Sequence, residues 1–156
     1  MRELAVIAAP FGSLALQAEA GFLLGIELKS ATGGLVEPAT PLLAEAARQF
    51  DAYFDDPKWI FSLNLPETGT AYQQNVWRAM AAIPSGSVKS YGAIAAELHS
   101  SPRAVAGACR ANRFPLILPC HRVVAAFGLG GYCGAIEGPF LDIKRWLLRH
   151  EGYEFP

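Results

Sequence analysis

At 156 residues and 52% hydrophobic, the chain has apolar material for one compact unit or two small ones, which excludes a disordered polypeptide. Its apolar runs are broken by Gly, Pro and Glu well short of a membrane span, and Met1-Arg2-Glu3 does not open a signal peptide, so a cytoplasmic protein that engages no membrane is expected. The formal net charge of −1 conceals an asymmetry: residues 1–70 hold 4 Lys/Arg against 9 Asp/Glu, residues 71–156 hold 9 against 5, and the basic half points to a polyanion.

Three short strands open the chain, Leu4–Ala9, Ser13–Ala20 and Leu23–Leu28, separated by Pro10-Phe11-Gly12 and Gly21-Phe22. Thr40 followed by Pro41 starts a helix in which Leu42, Leu43, Ala46, Ala47, Phe50, Tyr53 and Phe54 recur at helical spacing and face a core. Asp55-Asp56-Pro57 stops it. Trp59–Leu65 reads as another strand, and Pro66-Glu67-Thr68-Gly69 as the junction between a domain over 1–68 and one over 69–156.

From Thr70 the pattern is helical, with Ala71–Ala82 turning Val76, Trp77, Ala79, Met80 and Ile83 inward. Past Pro84-Ser85-Gly86-Ser87, Ser90 begins a short helix to about His99, and Ser101-Pro102 begins another to about Asn112. Two short helices across a tight turn predict a helix-turn-helix. The second is slim, since Ala104, Val105, Ala106, Gly107 and Ala108 are small or apolar and only Arg103, Arg110 and Arg113 reach far. It lacks the polar array that reads bases in a major groove and suits a minor groove, with Arg103 as a wedge.

The most reactive residue follows, in Pro119-Cys120-His121-Arg122-Val123-Val124. A free thiol has a pKa of about 8.5 and becomes a good nucleophile only when a neighbour takes or stabilises its proton. On an extended segment Cys120 and His121 point to opposite faces, so the imidazole would act through a water or a third group. A buried structural cysteine beside a surface histidine explains the dipeptide equally well. Cys109, Cys120 and Cys133 are odd in number, and no Cys-x-x-Cys or His-x-x-x-His occurs, so neither a disulfide framework nor a metal site is expected.

Further blocks accompany that core in a fixed order: Gln74-Asn75-Val76-Trp77, Ile83-Pro84-Ser85-Gly86, Ser90 to Ala95, Ser101-Pro102-Arg103-Ala104-Val105, Arg110-Ala111-Asn112, Gly131-Tyr132-Cys133-Gly134 and Lys144 to Glu151. Through them the stretch from Tyr72 to Glu151 resembles the O6-alkylguanine-DNA alkyltransferase family, also called methylated-DNA–protein-cysteine methyltransferases. The resemblance implies an α+β chain: a small N-terminal α/β domain, with a short antiparallel sheet plus a helix, then a mostly helical winged helix-turn-helix domain. It implies that Cys120 takes an alkyl group from O6 of guanine in double-stranded DNA, irreversibly and once. His121 and Glu151 fall at a relay in which a water links thiol to imidazole and the glutamate holds and charges the ring. Tyr91 falls at a phenol that hydrogen-bonds the guanine, and Asn112 at an asparagine bracing the active-site turn. Arg103 falls at the finger that replaces the extruded nucleotide, on a DNA-binding face with Tyr91, Ala104, Ala108 and Arg110. Tyr132, Cys133, Gly134 and Pro119 fall in the base pocket. A monomer without metal or organic cofactor is implied.

Two departures accompany the resemblance. Cys133 occupies a position where many relatives have serine or alanine, and the connection from Tyr132 to Lys144 is longer by about five residues, of the kind loops accommodate. Gly138-Pro139 suggests a turn with a helix starting at Phe140, and the segment from Ala135 to Asp142 then forms part of a lid. Two other readings of the chain are a cysteine hydrolase using Cys120 and His121, for which no oxyanion motif is visible, and a non-catalytic DNA-binding protein that recognises alkylated bases.

Overall fold

Alternating apolar residues fold the first part of the chain into an antiparallel meander of β1 (Glu3–Ala9), β2 (Gly12–Glu19) and β3 (Phe22–Lys29), with β2 in the centre. The computed structural model describes residues 2–154, and the chain divides between Glu67 and Thr68 into two compact units. In the first unit Ala20 and Gly21 take left-handed conformations, φ 52° and 83°, which give the two-residue turn that matches strand twist between β2 and β3. Beyond β3, Val36 exchanges two backbone hydrogen bonds with Val6, at 2.9 and 3.0 Å. Helix α1 (Pro41–Asp55) is capped by Thr40, packs on the sheet and buries Leu43, Ala46, Gln49, Phe50 and Tyr53.

The strand expected over Trp59–Leu65 does not form. The segment is extended and its side chains alternate, with Trp59, Phe61, Leu63 and Leu65 half-buried and Ile60, Ser62 and Asn64 exposed, but among the described residues no strand pairs with it. Its backbone is held instead by one side chain: Gln49 Oε1 accepts from Ser62 N at 2.8 Å and Gln49 Nε2 donates to Ser62 O at 3.1 Å. That amide copies a strand's donor and acceptor, which explains a glutamine 1% exposed on the apolar face of α1.

In the second unit α2 (Ala71–Ala81) starts with a reciprocal capping box between Thr70 and Gln73 and buries Val76, Trp77 and Met80. Ser90 caps α3 (Tyr91–Glu97), and Ser101 with Pro102 starts α4 (Pro102–Arg110). Both helices end before their apolar periodicity does, α3 because His99 turns left-handed at φ 52° and α4 because Ala111 caps it. The Trp77 indole N–H donates to Ala108 O at 2.8 Å and ties α2 to α4. Two parallel two-residue strands, β4 (Lys89–Ser90) and β5 (Val123–Val124), join the entry of α3 to the residues after Cys120. Segments so short leave no pattern in a sequence. The last helix, α5, spans Pro139–His150 and begins one residue before the expected start because Gly138 can take φ 90° ahead of a proline at the first helical position.

Replacing Gln49 by Leu keeps the volume roughly but leaves both Ser62 backbone groups without their partner, at a cost of about 1–3 kcal/mol. Urea unfolding followed by circular dichroism should show a lower midpoint with the native spectrum retained. An unchanged midpoint would mean that the segment is held by its aromatic contacts alone.

Candidate functional site

Asn112, two residues past α4, organises the bend that presents the thiol. Its Nδ2 donates to Leu118 O and its Oδ1 accepts from Phe114 N, both at 2.8 Å, so the chain from 112 to 118 closes on itself. Cys120 N then bonds back to Leu118 O at 2.8 Å and Arg122 N to Pro119 O at 3.0 Å, and residues Cys120–Arg122 form one 3-10 turn. The extended conformation considered for the Cys-His pair is thus replaced by a tight turn, because Asn112 and the fixed ring of Pro119 bend the chain first.

Behind the turn lies a buried charge cluster. Glu151, the residue that caps α5, accepts from His121 Nε2 at 2.9 Å and from Arg122 Nε and Nη2, each at 2.9 Å. Arg122 Nη1 also donates to Ile83 O at 2.6 Å. Burial opposes ionisation of Glu151, but the hydrogen bonds and charges of His121 and Arg122 outweigh it and hold the carboxyl well below the usual carboxylate range. For His121, which has no exposed surface, burial outweighs Glu151 and lowers the pKa, so the ring is neutral at rest. With Nε2–H given to Glu151, the lone pair lies on Nδ1, which is buried and has no hydrogen-bond partner among the described residues. A neutral imidazole with a free lone pair is a proton acceptor.

Cys120, 7% exposed, forms part of the wall of a cavity of about 410 Å³. Tyr91 and Gly131 to Ile136 form one side; Arg103, Ala106, Gly107, Cys109 and Arg110 of α4 form the other. Burial raises the Cys120 pKa, while a hydrogen bond from Asn112 and the charge of Lys144 act in the opposite sense. Lys144 is the least predictable member. It has no exposed surface, and its Nζ donates to Val123 O, Leu129 O and Gly131 O at 2.7, 2.8 and 2.8 Å, which fixes the loop beside the cavity. Burial pulls its pKa down to about 8, with the three thiols acting to raise it. Tyr132 and Ala135 exchange two backbone hydrogen bonds at 2.9 Å around Cys133 (φ 51°) and Gly134 (φ 80°), a tight turn that fits a non-glycine only under strain. Gly130 allows the loop to lie on Tyr91, since a Cβ there would meet the Tyr91 ring at 2.9 Å.

The residues singled out in the sequence therefore divide. Cys120, Tyr91, Arg103, Arg110, Tyr132, Cys133 and Gly134 meet at one cavity, with Asn112, His121 and Glu151 behind it. Ala104 is exposed on α4, but Ala108 is 3% exposed and its carbonyl is taken by Trp77, so it faces inward, which does not fit the surface position expected of it. Arg110 Nη2 donates to Gly134 O at 3.1 Å, latching α4 to the turn across the cavity. Pro119 stands outside the cavity wall and serves the turn. Two functional residues were not anticipated. Arg122 was legible only as part of the Pro-Cys-His-Arg core, and Lys144 gave one signal, a lysine in register with Leu141, Leu147 and Leu148 on the apolar face of α5.

Comparison with known proteins gives a consistent picture. The family description "6-O-methylguanine DNA methyltransferase, DNA binding domain" matches residues 71–153. The constitutive methylated-DNA–protein-cysteine methyltransferase of Bacillus subtilis is 43% identical over 115 residues, which cover 72% of this chain and 67% of that protein. The corresponding Salmonella typhimurium protein is 44% identical over 97 residues, and the match spans about half of its length, 54%, and 60% of this chain. The crystal structure of Mycobacterium tuberculosis OGT in complex with DNA superposes with a TM-score of 0.77 at 32% identity, covering 95% of this chain and 91% of that one.

Because the Glu151 pKa is depressed from its ordinary 4.5, its ionised form contributes stability that is fully present above that value and is lost as pH falls toward the folded-state pKa. Acid unfolding of Glu151→Gln should accordingly begin from a lower plateau and fall less steeply below pH 4.5 than that of the parent. Parallel acid limbs would show that the cluster does not couple to folding. Lys144→Met should strip three buried carbonyls of their donor, cost about 2 kcal/mol or more and slow Cys120 alkylation. Unfolding and single-turnover rates measured together would separate the two effects.

Proposed function

The chain belongs to the 6-O-methylguanine DNA methyltransferase family, and on that footing we propose that Cys120 is the group that takes an alkyl substituent from O6 of guanine in duplex DNA. The protein is an enzyme of the methylated-DNA–protein-cysteine methyltransferase class and repairs DNA by consuming itself. The observation that carries the residue assignment is the arrangement of Cys120 in a cavity wall, braced by Asn112, with a neutral His121 whose Nδ1 lone pair is unused.

The chemistry follows from those positions. A water between Nδ1 and the thiol passes the Cys120 proton to His121, and Glu151 with Arg122 stabilises the imidazolium that forms. The thiolate attacks the alkyl carbon, the S–C bond forms as the C–O6 bond breaks, and the guanine leaves as an anion hydrogen-bonded by Tyr91. The imidazolium proton returns through solvent to the base, leaving a thioether and guanine. Burial first, then the nearby thiols, push the Tyr91 phenol up to about 12, so it remains a donor throughout. The stable thioether gives water no bond to hydrolyse, hence one turnover.

The α3–α4 pair acts as the helix-turn-helix of a winged domain spanning 69–156, with the loop after β5 as its wing and 1–68 as the separate α/β domain. The slim exposed face of α4 enters a minor groove, and Arg103, exposed at the cavity rim, fills the space left by the extruded nucleotide. Ala135 and Ile136, at the start of the long connection, set how large an alkyl group enters. The protein works as a monomer. Nothing favours a binding protein without chemistry, since such a protein needs no buried His-Glu-Arg cluster behind its cysteine.

Intact mass after incubation with O6-methylguanine duplex should rise by one methyl group and then stop, with peptide mapping placing it on Cys120. Methyl on Cys109 or Cys133 with Cys120 unmodified would overturn the assignment. Extrusion costs about a few kcal/mol and a free base needs none. Arg103→Ala should therefore react slowly with methylated duplex yet near the parent rate with free O6-benzylguanine. Equal losses on both would make Arg103 part of the pocket.

A further inference from the structure

The loop that borders the cavity has another side. Leu129 and Gly131 are both fixed through their carbonyls by Lys144, but Gly131 faces the cavity whereas Leu129 lines a separate groove of about 470 Å³ with Arg145, Arg149 and Glu154. Arg145 and Arg149 lie one helical turn apart on the exposed face of α5. Arg145 pairs with Asp142 at 3.0 Å in solvent, an interaction easily exchanged, and Arg149 makes no ion pair among the described residues. Among the described residues Glu154 is the one acidic residue lining the groove, against two guanidinia whose only acidic neighbour besides it is the solvent-exposed Asp142 beside Arg145. At the tip of the same loop Phe127 is 99% exposed. Its loop is tied down on both sides of it, at Val123 and Leu129, so the ring is presented on a fixed base.

We propose that this face is a second contact surface for the duplex whose nucleotide occupies the cavity, with Arg145 and Arg149 on backbone phosphates and Phe127 in apolar contact with the sugars or base edges beside them. The proposal rests on DNA being the partner. Reach supports it: at no more than about 3.5 Å per residue, Leu129 lies within about 7 Å and Phe127 within about 14 Å of Gly131 in the cavity wall. A duplex extends about 34 Å per ten base pairs and carries a charge every 1.7 Å or so, so DNA centred on the cavity can pass over both. Two guanidinia one turn apart answer its charge, and an aromatic ring wholly in water is the kind of side chain that gains by being covered. The position is also distinct from the chemistry, since none of the three side chains lines the cavity.

The test is the salt dependence of duplex binding, read by fluorescence anisotropy with an O6-methylguanine duplex and the full chain. Removing one guanidinium from a phosphate should reduce the slope of log K against log salt by about 0.9, so Arg145→Ala/Arg149→Ala should flatten it by about two. Arg145→Lys/Arg149→Lys should restore the slope, because the charges return. Phe127→Ala should weaken binding at every salt concentration without altering the slope. All variants should transfer benzyl from free O6-benzylguanine at the parent rate, which checks folding and keeps failure here separate from failure of the Cys120 assignment. Slope and affinity unchanged in the double alanine variant would overturn the proposal, as would a slope that the lysine variant does not restore.

Discussion

Glu151 bears a negative charge at the C-terminal end of α5, where two hydrogen bonds from Arg122 and one from His121 meet it. Burial keeps the imidazole neutral, with the Arg122 charge acting in the same sense and Glu151 against it. A charged ring would have no lone pair with which to accept a proton. Arg122 shares the carboxylate with His121, and burial outweighs the pull of Glu151 on the ring. The same carboxylate lies 2.9 Å from the ring, a distance at which it would stabilise a positive charge there. Arg122 also bonds to Ile83 O, so the residue that compensates Glu151 ties the turn to the end of α2.

Burying a carboxylate, a guanidinium and an ammonium in one small domain is expensive, and such groups are weak contributors to net stability even when well paired. Their value lies in position. Lys144 spends all three of its protons on the carbonyls of Val123, Leu129 and Gly131, and those residues flank the loop that carries Tyr132 and Cys133 to the cavity. An apolar side chain in that place would suit the face of α5 better but would leave the loop without a fixed path. The ammonium therefore does two jobs, since its charge also favours the thiolate over the thiol at Cys120.

Periodic features were the legible ones. The meander, α1 and α2 follow from apolar spacing and from caps at Thr40 and Thr70, because such signals are local and each is repeated over many residues. Interactions between distant residues left no trace. Gln49 looks like a polar interruption of a helix stripe until Ser62 is brought to it, and the alternation of Trp59–Leu65 cannot reveal that a side chain replaces a strand. At the site, Cys120, His121 and Glu151 were singled out through the family resemblance, whereas composition alone left a structural cysteine equally plausible. The resemblance puts Ala104 and Ala108 on one DNA-binding face, yet helical geometry divides them: Ala104 faces out, while Ala108 is buried against Trp77.

Three thiols line one cavity, and exposure is not what separates them. Cys133 is the most open, yet burial of its thiol and the neighbouring Cys120 push its pKa up to about 12, as they do for Cys109. Lys144 acts on all three in the same favourable sense, so it cannot choose among them. What distinguishes Cys120 is that the Asn112 amide, which closes the 112–118 bend, acts to lower its pKa and does not act on the other two thiols. The bend and the stabilised sulfur are therefore one construction. Any rearrangement that frees the Asn112 side chain loses the turn geometry and its favourable effect on the Cys120 thiolate together.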